Sequence, residues 1–246
     1  PGREDPGPHR QGDAAAHTLP VLSPVSKELM RYADQPLTKL LEDLSARTPV
    51  PGGGSGCAAS AAIGAALGAM VAAFSPPKGA DPKKDPEKAA AEAPARAAAE
   101  ARVLALASRL AAARDRFAAL VDEDAAAYDG IRAARKAKAP PEEVQQAVVR
   151  AMEVPLGGAR ACLDTLQLLL DLCPDANPRL ATDLACGALL LESTLAGMAF
   201  NVRVNLLDIK RDDTVAAARA ELDRLGRSAV ELRRAVLRHV EAQMEG

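Results

Sequence analysis

Asp124 interrupts a seven-residue apolar repeat in the longest helix that the sequence predicts. Val103, Leu110, Phe117 and Ile131 fill the other positions of this repeat, and such a repeat indicates a buried helical stripe. An unpaired carboxylate is costly to bury, so Asp124 must either meet a partner or line a solvent-filled cleft. In a cleft, partial burial would suit it to act as a general acid or base. The alternative is that the helix ends near Asp124 and the carboxylate is simply solvated.

Polar residues also interrupt a helix predicted from Pro178 to about Lys210. The middle of this helix is apolar nearly all round, which is typical of a helix buried on every side. Asp183 lies near its start, and Asn201 and Asn205 lie one turn apart near its end. The two amides either cross-link buried helices by hydrogen bonds or line a binding site. The pattern alone leaves both interpretations open.

A Pro- and Gly-rich run, residues 48–55, precedes a helix of small residues that ends near Phe74. Gly53, Gly54 and Ser55 begin this helix, where free backbone N–H groups can bind an anion. The lysine that follows the glycines of a P-loop is missing, so nucleotide binding is not predicted. The alternative is that the glycines only allow close helix packing.

Histidine and cysteine usage argues against a metal site. The three histidines are His9, His17 and His239, which the sequence predicts to lie outside the core. A general acid or base in the middle of the chain must therefore be Asp, Glu, Lys or Tyr. The four cysteines lack the spacing of zinc ligands, and no close pair indicates a disulfide. We therefore predict no metal, no cofactor, and a reduced, cytoplasmic protein.

Composition indicates the fold class. Hydrophobic residues make up 48% of the chain but aromatic residues only 2%, and small side chains favour close helix packing over sheets. We predict an all-α, single-domain helical bundle with long antiparallel helices around a central small-residue helix. With 31 basic and 33 acidic residues and no basic run, nucleic-acid binding is not predicted. The Ala-rich stretch 49–77 is a poor membrane span, so no membrane insertion is predicted either.

The chain divides into a predicted disordered tail, residues 1–26, and a helical domain, residues 27–246. The tail is rich in Pro, Gly and polar residues and shows no period. The domain is predicted to contain six helices. A short helix follows Pro36, and the small-residue helix after the glycines ends at Phe74. The others extend over roughly 87–138, from Pro140 to Leu172 with a break at Pro155, from Asn177 to about Lys210, and from Asp212 to about Met244.

Three segments, in consistent order, resemble the cyclodeaminase/methenyltetrahydrofolate cyclohydrolase family. Residues 48–74, TPVPGGGSGCAASAAIGAALGAMVAAF, resemble the family's PGGGS motif and small-residue helix. Residues 121–131, VDEDAAAYDGI, resemble its Asp-x-x-Ala-aromatic segment, with Asp124 as the acid. Residues 176–206, ANPRLATDLACGALLLESTLAGMAFNVRVNL, resemble its Asn-Pro…Ser-Asp…Asn-Val-x-x-Asn region, with Thr182 in place of the Ser before Asp183. The resemblance extends over about residues 37–240.

The resemblance implies a homodimeric enzyme whose substrate is a tetrahydrofolate carrying a one-carbon unit. The first hypothesis is a methenyltetrahydrofolate cyclohydrolase, in which water opens the methenyl ring to 10-formyltetrahydrofolate. The alternative is a formimidoyltetrahydrofolate cyclodeaminase, in which N10 attacks the formimidoyl carbon and ammonia leaves. A third interpretation, from a different class, is a non-enzymatic helical interaction protein whose buried Asp and Asn residues only specify packing.

The resemblance also implies roles for particular residues. Asp124 would be the general acid and base, and neither reaction requires a metal. The predicted substrate-binding residues are Gly53, Gly54, Ser55, Asp183, Asn201 and Asn205.

Overall fold

The computed structural model describes residue 2 and residues 31–75, 79–80 and 83–245. Six α-helices contain most of them: α1 (Leu37–Ser45), α2 (Gly53–Ala73), α3 (Pro86–Lys136), α4 (Pro141–Leu172), α5 (Ala181–Leu206) and α6 (Asp212–Glu245). Short 3-10 helices occupy Tyr32–Asp34, Cys173–Asp175 and Pro178–Leu180. These described residues include no strand, and the predicted all-α fold class is confirmed. The predicted tail, residues 1–26, lies outside the described residues except for Gly2.

The small-residue helix α2 lies between α3 and α5 and also touches α4. Its core positions are alanines such as Ala58, Ala61 and Ala65, which are fully buried. A Cβ on Gly64 would lie 3.1 Å from the carbonyl oxygen of Gly187, so the backbones of α2 and α5 approach closely. Small residues therefore set the distance between α2, which begins with the glycines, and α5, which carries the two asparagines.

The apolar repeat on α3 forms the buried stripe that its spacing predicts. Leu110 and Phe117 are fully buried, and Val103 and Ile131 nearly so, while Asp124 is half-buried. The helix continues to Lys136. The alternative in which α3 ends near Asp124 is therefore wrong.

The predicted break at Pro155 is also wrong, because α4 runs without interruption from Pro141 to Leu172. Pro155 and Gly158 are both buried within this helix. A Cβ on Gly158 would collide with Met198 and Leu120. The glycine serves close packing between helices instead of ending one, and this packing outweighs the local preference of the proline and glycine pair.

Helix α5 ends at Leu206, four residues before the predicted end at Lys210. A side chain of α4 holds the turn that follows. Gln145 donates through Nε2 to the carbonyl oxygen of Asp208 (2.9 Å), and its Oε1 accepts from the backbone N–H of Lys210 (3.0 Å). A contact with a distant part of the chain thus ends the helix.

Two helical segments, Gly53–Ala73 and Pro178–Leu206, are long and apolar enough to cross a membrane by length and composition. Within the single chain, 39% and 44% of their apolar windows are buried. Core helices of globular proteins have the same length and composition. The predicted absence of a membrane span stays a prediction.

Candidate functional site

A pocket of about 360 Å³ lies where α3, α4 and α5 meet the start of α2. We call it the Asp124 pocket. It is lined by Pro49, Val50, Gly52, Gly53, Gly54, Asp124, Tyr128, Ile131, Arg135, Ala151, Asn201, Val204, Asn205 and Asp208. The fold therefore brings together Asp124, both predicted glycines and both predicted asparagines, although about 80 residues separate Asp124 from the asparagines in sequence.

Asp124 is held by Ser55. The Ser55 hydroxyl lies 3.0 Å from Oδ2 of Asp124 and 3.0 Å from the carbonyl oxygen of Val121. Ser55 is fully buried, so it has no surface to offer to a substrate. The structure makes Ser55 a partner of Asp124, and its predicted contact with a substrate stays a prediction.

Gly54 allows the carboxyl group of Asp124 to lie against the start of α2. A Cβ at this position would collide with that carboxyl group, so the absence of a side chain is required by the approach. The helix has no side-chain cap from its own residue Gly52. A carboxylate near a helix N-terminus is favourable because the macrodipole is positive there. Asp124 itself thus brings a carboxyl group to this glycine-rich start, for which the sequence left anion binding and close helix packing as alternatives.

Burial raises the pKa of Asp124 above its ordinary value. The hydroxyl and the backbone of Ser55 act in the opposite direction, because hydrogen bonds stabilise the carboxylate, but their effect is smaller. The cation that lines the pocket, Arg135, is paired with Asp208 (2.6 Å). A carboxyl group whose pKa is raised is suited to carrying a proton in either direction.

The two asparagines combine a structural role with free polar groups. Asn205 donates through Nδ2 to the carbonyl oxygens of Ala151 (2.8 Å) and Asn201 (3.0 Å), and so links α5 to α4. Asn201 donates through Nδ2 to the carbonyl oxygen of Gly197 (3.0 Å). Both side-chain oxygens lack a hydrogen-bond donor among the described residues. The asparagines therefore both link helices by hydrogen bonds and line a pocket, so the two interpretations of the sequence pattern are compatible.

Gly53 lies beside Asn201 at the edge of the pocket. A Cβ built on it would stand 3.8 Å from the amide of Asn201, which is ordinary contact, and the residue is exposed. Gly53 thus remains available to a ligand, whereas Gly54 is occupied by Asp124.

Asp183 does not join the other predicted residues within this chain. It lies in the first turn of α5, and eighteen residues of helix, about 27 Å, separate it from Asn201. It is absent from the lining of the Asp124 pocket. The sequence predicts that Asp183 and Asn201 lie on one helix. It does not show that the Asp124 pocket reaches only the end of the helix that carries Asn201. Asp183 therefore lies apart from the asparagines in the single chain, and its predicted role in substrate binding stays a prediction.

Three polar side chains that line the pocket were not predicted as site residues, namely those of Tyr128, Arg135 and Asp208. Tyr128 and Arg135 follow Asp124 by four and eleven residues, which places them on the same face of α3. Asp208 follows Asn201 and Asn205 at helical spacing, and its carboxylate pairs with Arg135. These spacings could have identified all three residues, but only the tertiary structure shows that the two faces meet.

A larger, more open groove of about 1190 Å³ lies beside the start of α4. Its charged lining consists of Glu142, Glu143, Arg150, Glu153, Lys210 and Arg211. It contains none of the predicted site residues, and it brings no half-buried titratable group to a ligand. We therefore place the candidate site at the Asp124 pocket.

Among the described residues, no group of three or more His, Cys, Asp or Glu side chains could hold a metal ion. Cys57 lies on α2, where burial and the nearby Asp124 raise the pKa of its thiol. The predicted independence from metals and cofactors stays a prediction.

The chain is similar to known proteins over most of its length. The family model described as Formiminotransferase-cyclodeaminase matches residues 36–224. Among solved structures, a formiminotetrahydrofolate cyclodeaminase from Thermotoga maritima matches with a TM-score of 0.72 and 24% identity. That match covers 85% of this chain and 96% of the other, and at this identity it establishes a shared fold. No curated protein sequence matches the chain significantly.

Proposed function

Because the chain belongs to the Formiminotransferase-cyclodeaminase family, we propose that it catalyses the cyclodeaminase reaction on formiminotetrahydrofolate. The family match confirms the prediction that the chain is an enzyme of this family. The observation that supports the reaction is the half-buried carboxyl of Asp124, which shares one pocket with Asn201 and Asn205. The interpretation as a non-enzymatic interaction protein is thereby set aside.

The reaction requires one proton to move between two nitrogens of the substrate. N10 attacks the formimino carbon and forms a tetrahedral centre. The formimino group reacts as its protonated form, –CH=NH2⁺, so the tetrahedral centre carries an –NH2 group. N10 then loses its proton, this –NH2 nitrogen gains one, and the bond from the carbon to that nitrogen breaks as ammonia leaves. We assign both transfers to Asp124, which accepts the proton from N10 and returns it to the leaving nitrogen. The product is 5,10-methenyltetrahydrofolate, and Asp124 ends as it began.

The asparagines supply the polar groups that orient the substrate. A reduced pterin presents ring N–H and amino donors, and the side-chain oxygens of Asn201 and Asn205 are acceptors without a donor among the described residues. Both residues are half-buried, and acceptors in a site that are satisfied only by the right ligand give discrimination between ligands. Gly53, at the pocket edge, allows the ligand to approach the backbone at the start of α2.

Cyclohydrolase activity, the first hypothesis from the sequence, is the second candidate. It acts on the same methenyl carbon and needs the same proton carrier. Asn201 uses one N–H for the carbonyl of Gly197, which leaves its second N–H and its oxygen for a water molecule next to that carbon. The family description and the solved relative both carry the cyclodeaminase name, and we therefore rank that reaction first.

We also propose that the enzyme is a homodimer that works in the cytoplasm. Helix α5 exposes Leu189, Phe200 and Val204, and Leu207, directly after its end, is also exposed. The spacing of these residues places them on one face. Large apolar side chains exposed on one side of a helix are typical of an interface between subunits.

Two assays test the reaction with purified protein. In the first, 5-formiminotetrahydrofolate is supplied, and methenyl absorbance and free ammonia are measured together. In the second, 5,10-methenyltetrahydrofolate is supplied and the loss of its absorbance is followed. Ammonia released in step with the methenyl product supports the cyclodeaminase. Loss of methenyl absorbance above the buffer rate, without ammonia formation in the first assay, supports the cyclohydrolase. If neither substrate reacts, the proposed function is wrong.

A further inference from the structure

Pro155 leaves one backbone carbonyl of α4 without its usual partner. In an α-helix, the N–H of residue 155 would donate to the carbonyl oxygen of residue 151, and proline has no N–H. The proline ring also crowds that carbonyl. Helix α4 is continuous here, and Ala151 is only 6% exposed. A carbonyl in such a place is expected to find another donor.

That donor is Asn205. Its Nδ2 lies 2.8 Å from the carbonyl oxygen of Ala151 and 3.0 Å from that of Asn201. Both N–H groups of the amide are therefore used, one on α4 and one on α5. This fixes the orientation of the amide and leaves its oxygen as the group available to a ligand. Ala151 and Asn205 both line the Asp124 pocket.

We propose that Pro155 is a positioning residue for substrate binding: it keeps the carbonyl of Ala151 open to Asn205, and thereby holds the Asn205 oxygen in the pocket as a hydrogen-bond acceptor. The proposal rests on the proposed function, since the acceptor is assigned to the N–H donors of a reduced pterin. It explains why a proline lies inside a continuous buried helix. It also joins two residues, fifty positions apart, that the sequence does not connect.

The chain offers a matched control in Pro94. This proline also lies inside a continuous helix, α3, but it and Ala90, whose carbonyl it leaves open, are both exposed. Water can satisfy that carbonyl. The same substitution at the two prolines therefore compares a carbonyl taken by Asn205 with one that solvent can reach.

The first experiment needs no ligand. The side-chain amide signals of Asn205 are measured by NMR in the wild type, Pro155→Ala and Pro94→Ala, and assigned by their loss in Asn205→Ala. Restoring an N–H at residue 155 draws the Ala151 carbonyl back into the helix. The Asn205 amide protons should then shift and exchange faster with solvent, while Pro94→Ala leaves them unchanged. Pro155→Val, which keeps more of the buried volume, is the second variant. An unchanged Asn205 amide in a folded Pro155 variant overturns the proposal.

The second experiment measures binding of 5-formyltetrahydrofolate, a stable reduced folate. Pro155→Ala should weaken binding roughly three- to tenfold, the effect of about one hydrogen bond, and Pro94→Ala should not. In a double-mutant cycle, Asn205→Ala should cost less affinity in the Pro155→Ala background than in the wild type. Additive losses contradict the proposal. Failure of the wild type to bind this folate counts against the proposed function, and the ligand-free NMR comparison still decides the role of Pro155.

Discussion

The hydroxyl of Ser55 holds the carboxyl of Asp124 across the start of α2, with the two oxygens 3.0 Å apart. The same hydroxyl lies equally close to the carbonyl oxygen of Val121, and its single hydrogen can serve only one of them at a time. Ser55 can therefore donate to Asp124 when the carboxyl is ionised. When Asp124 is protonated, Ser55 can accept from it and donate to Val121. Neither protonation state of Asp124 leaves the serine unpaired.

Ser55→Ala should raise the pKa of Asp124 further. The substitution removes a hydrogen bond that favours the carboxylate, while burial, which raises the pKa, is unchanged. The carboxyl carbon of Asp124 can be titrated by ¹³C NMR and assigned by its loss in Asp124→Asn. The other titratable groups near it, which are left in place, are Cys57, Tyr128, Arg135 and Asp208.

Ser60→Ala is the matched control for this titration. Ser60 lies on the same helix, and its hydroxyl bonds to the carbonyl oxygen of Gly56 (3.0 Å). Removal of this hydroxyl should leave the pKa of Asp124 unchanged. A pKa of Asp124 that stays or falls in Ser55→Ala would show that the hydroxyl does not support the carboxylate.

Asp124→Asn should keep the fold and lower turnover by roughly 10²–10⁴-fold, the usual loss for a general acid or base.

The difference in stability between the wild type and Asp124→Asn should depend on pH. The pKa of Asp124 is higher in the folded protein than its ordinary value of 3.8. The free energy of unfolding of the wild type therefore falls as the pH rises above 3.8, and the fall is complete above the pKa of Asp124 in the folded protein. The variant has no such loss. Its melting temperature relative to the wild type should therefore increase over that window, as measured by calorimetry.

A purely structural Asp124 would behave differently. In that case Asp124→Asn would lower the melting temperature at neutral pH and leave turnover near normal.

Gly54→Ala should impair both folding and turnover, because its Cβ would enter the space of the Asp124 carboxyl group. Overpacking of this kind typically costs about 1–3 kcal/mol of the free energy of unfolding. Gly53→Ala is the control for folding, since its Cβ would meet Asn201 at an ordinary 3.8 Å; because Gly53 lies at the pocket edge, the two variants are compared by their free energies of unfolding. Denaturant unfolding and turnover are measured for both variants. Equal effects at the two glycines would refute a specific role for Gly54.

Phe200→Glu should shift the proposed homodimer toward monomer, because it introduces a charge into the apolar face of α5. Phe200 is 67% exposed in the single chain. Leu104→Glu is the control, since Leu104 is 64% exposed on α3, away from that face. Light scattering after size-exclusion chromatography gives the masses. A monomeric wild type, or equal effects of the two variants, would contradict a dimer formed through this face.

The sequence by itself determined the helices and the residues that stand out on them. Small residues in α2, and the seven-residue repeat around Asp124, follow from local composition and helical period, which act within a few turns of one helix. For this reason the fold class and the buried stripe were predictable, as was the shared face of Asn201 and Asn205 on α5.

The tertiary structure alone decided which of these residues meet. Ser55 and Asp124 are 69 residues apart, and Asn205 reaches Ala151 across 54 residues, so no local pattern connects either pair. Asp183 shares a helix with Asn201, yet a rigid helix keeps its two ends apart. The sequence predicts a helix break at Pro155 because proline has a low intrinsic preference for the interior of a helix. The packing of α4 against α3 and α5 stabilises the helix through that point, and the carbonyl that the proline leaves open becomes the anchor of Asn205.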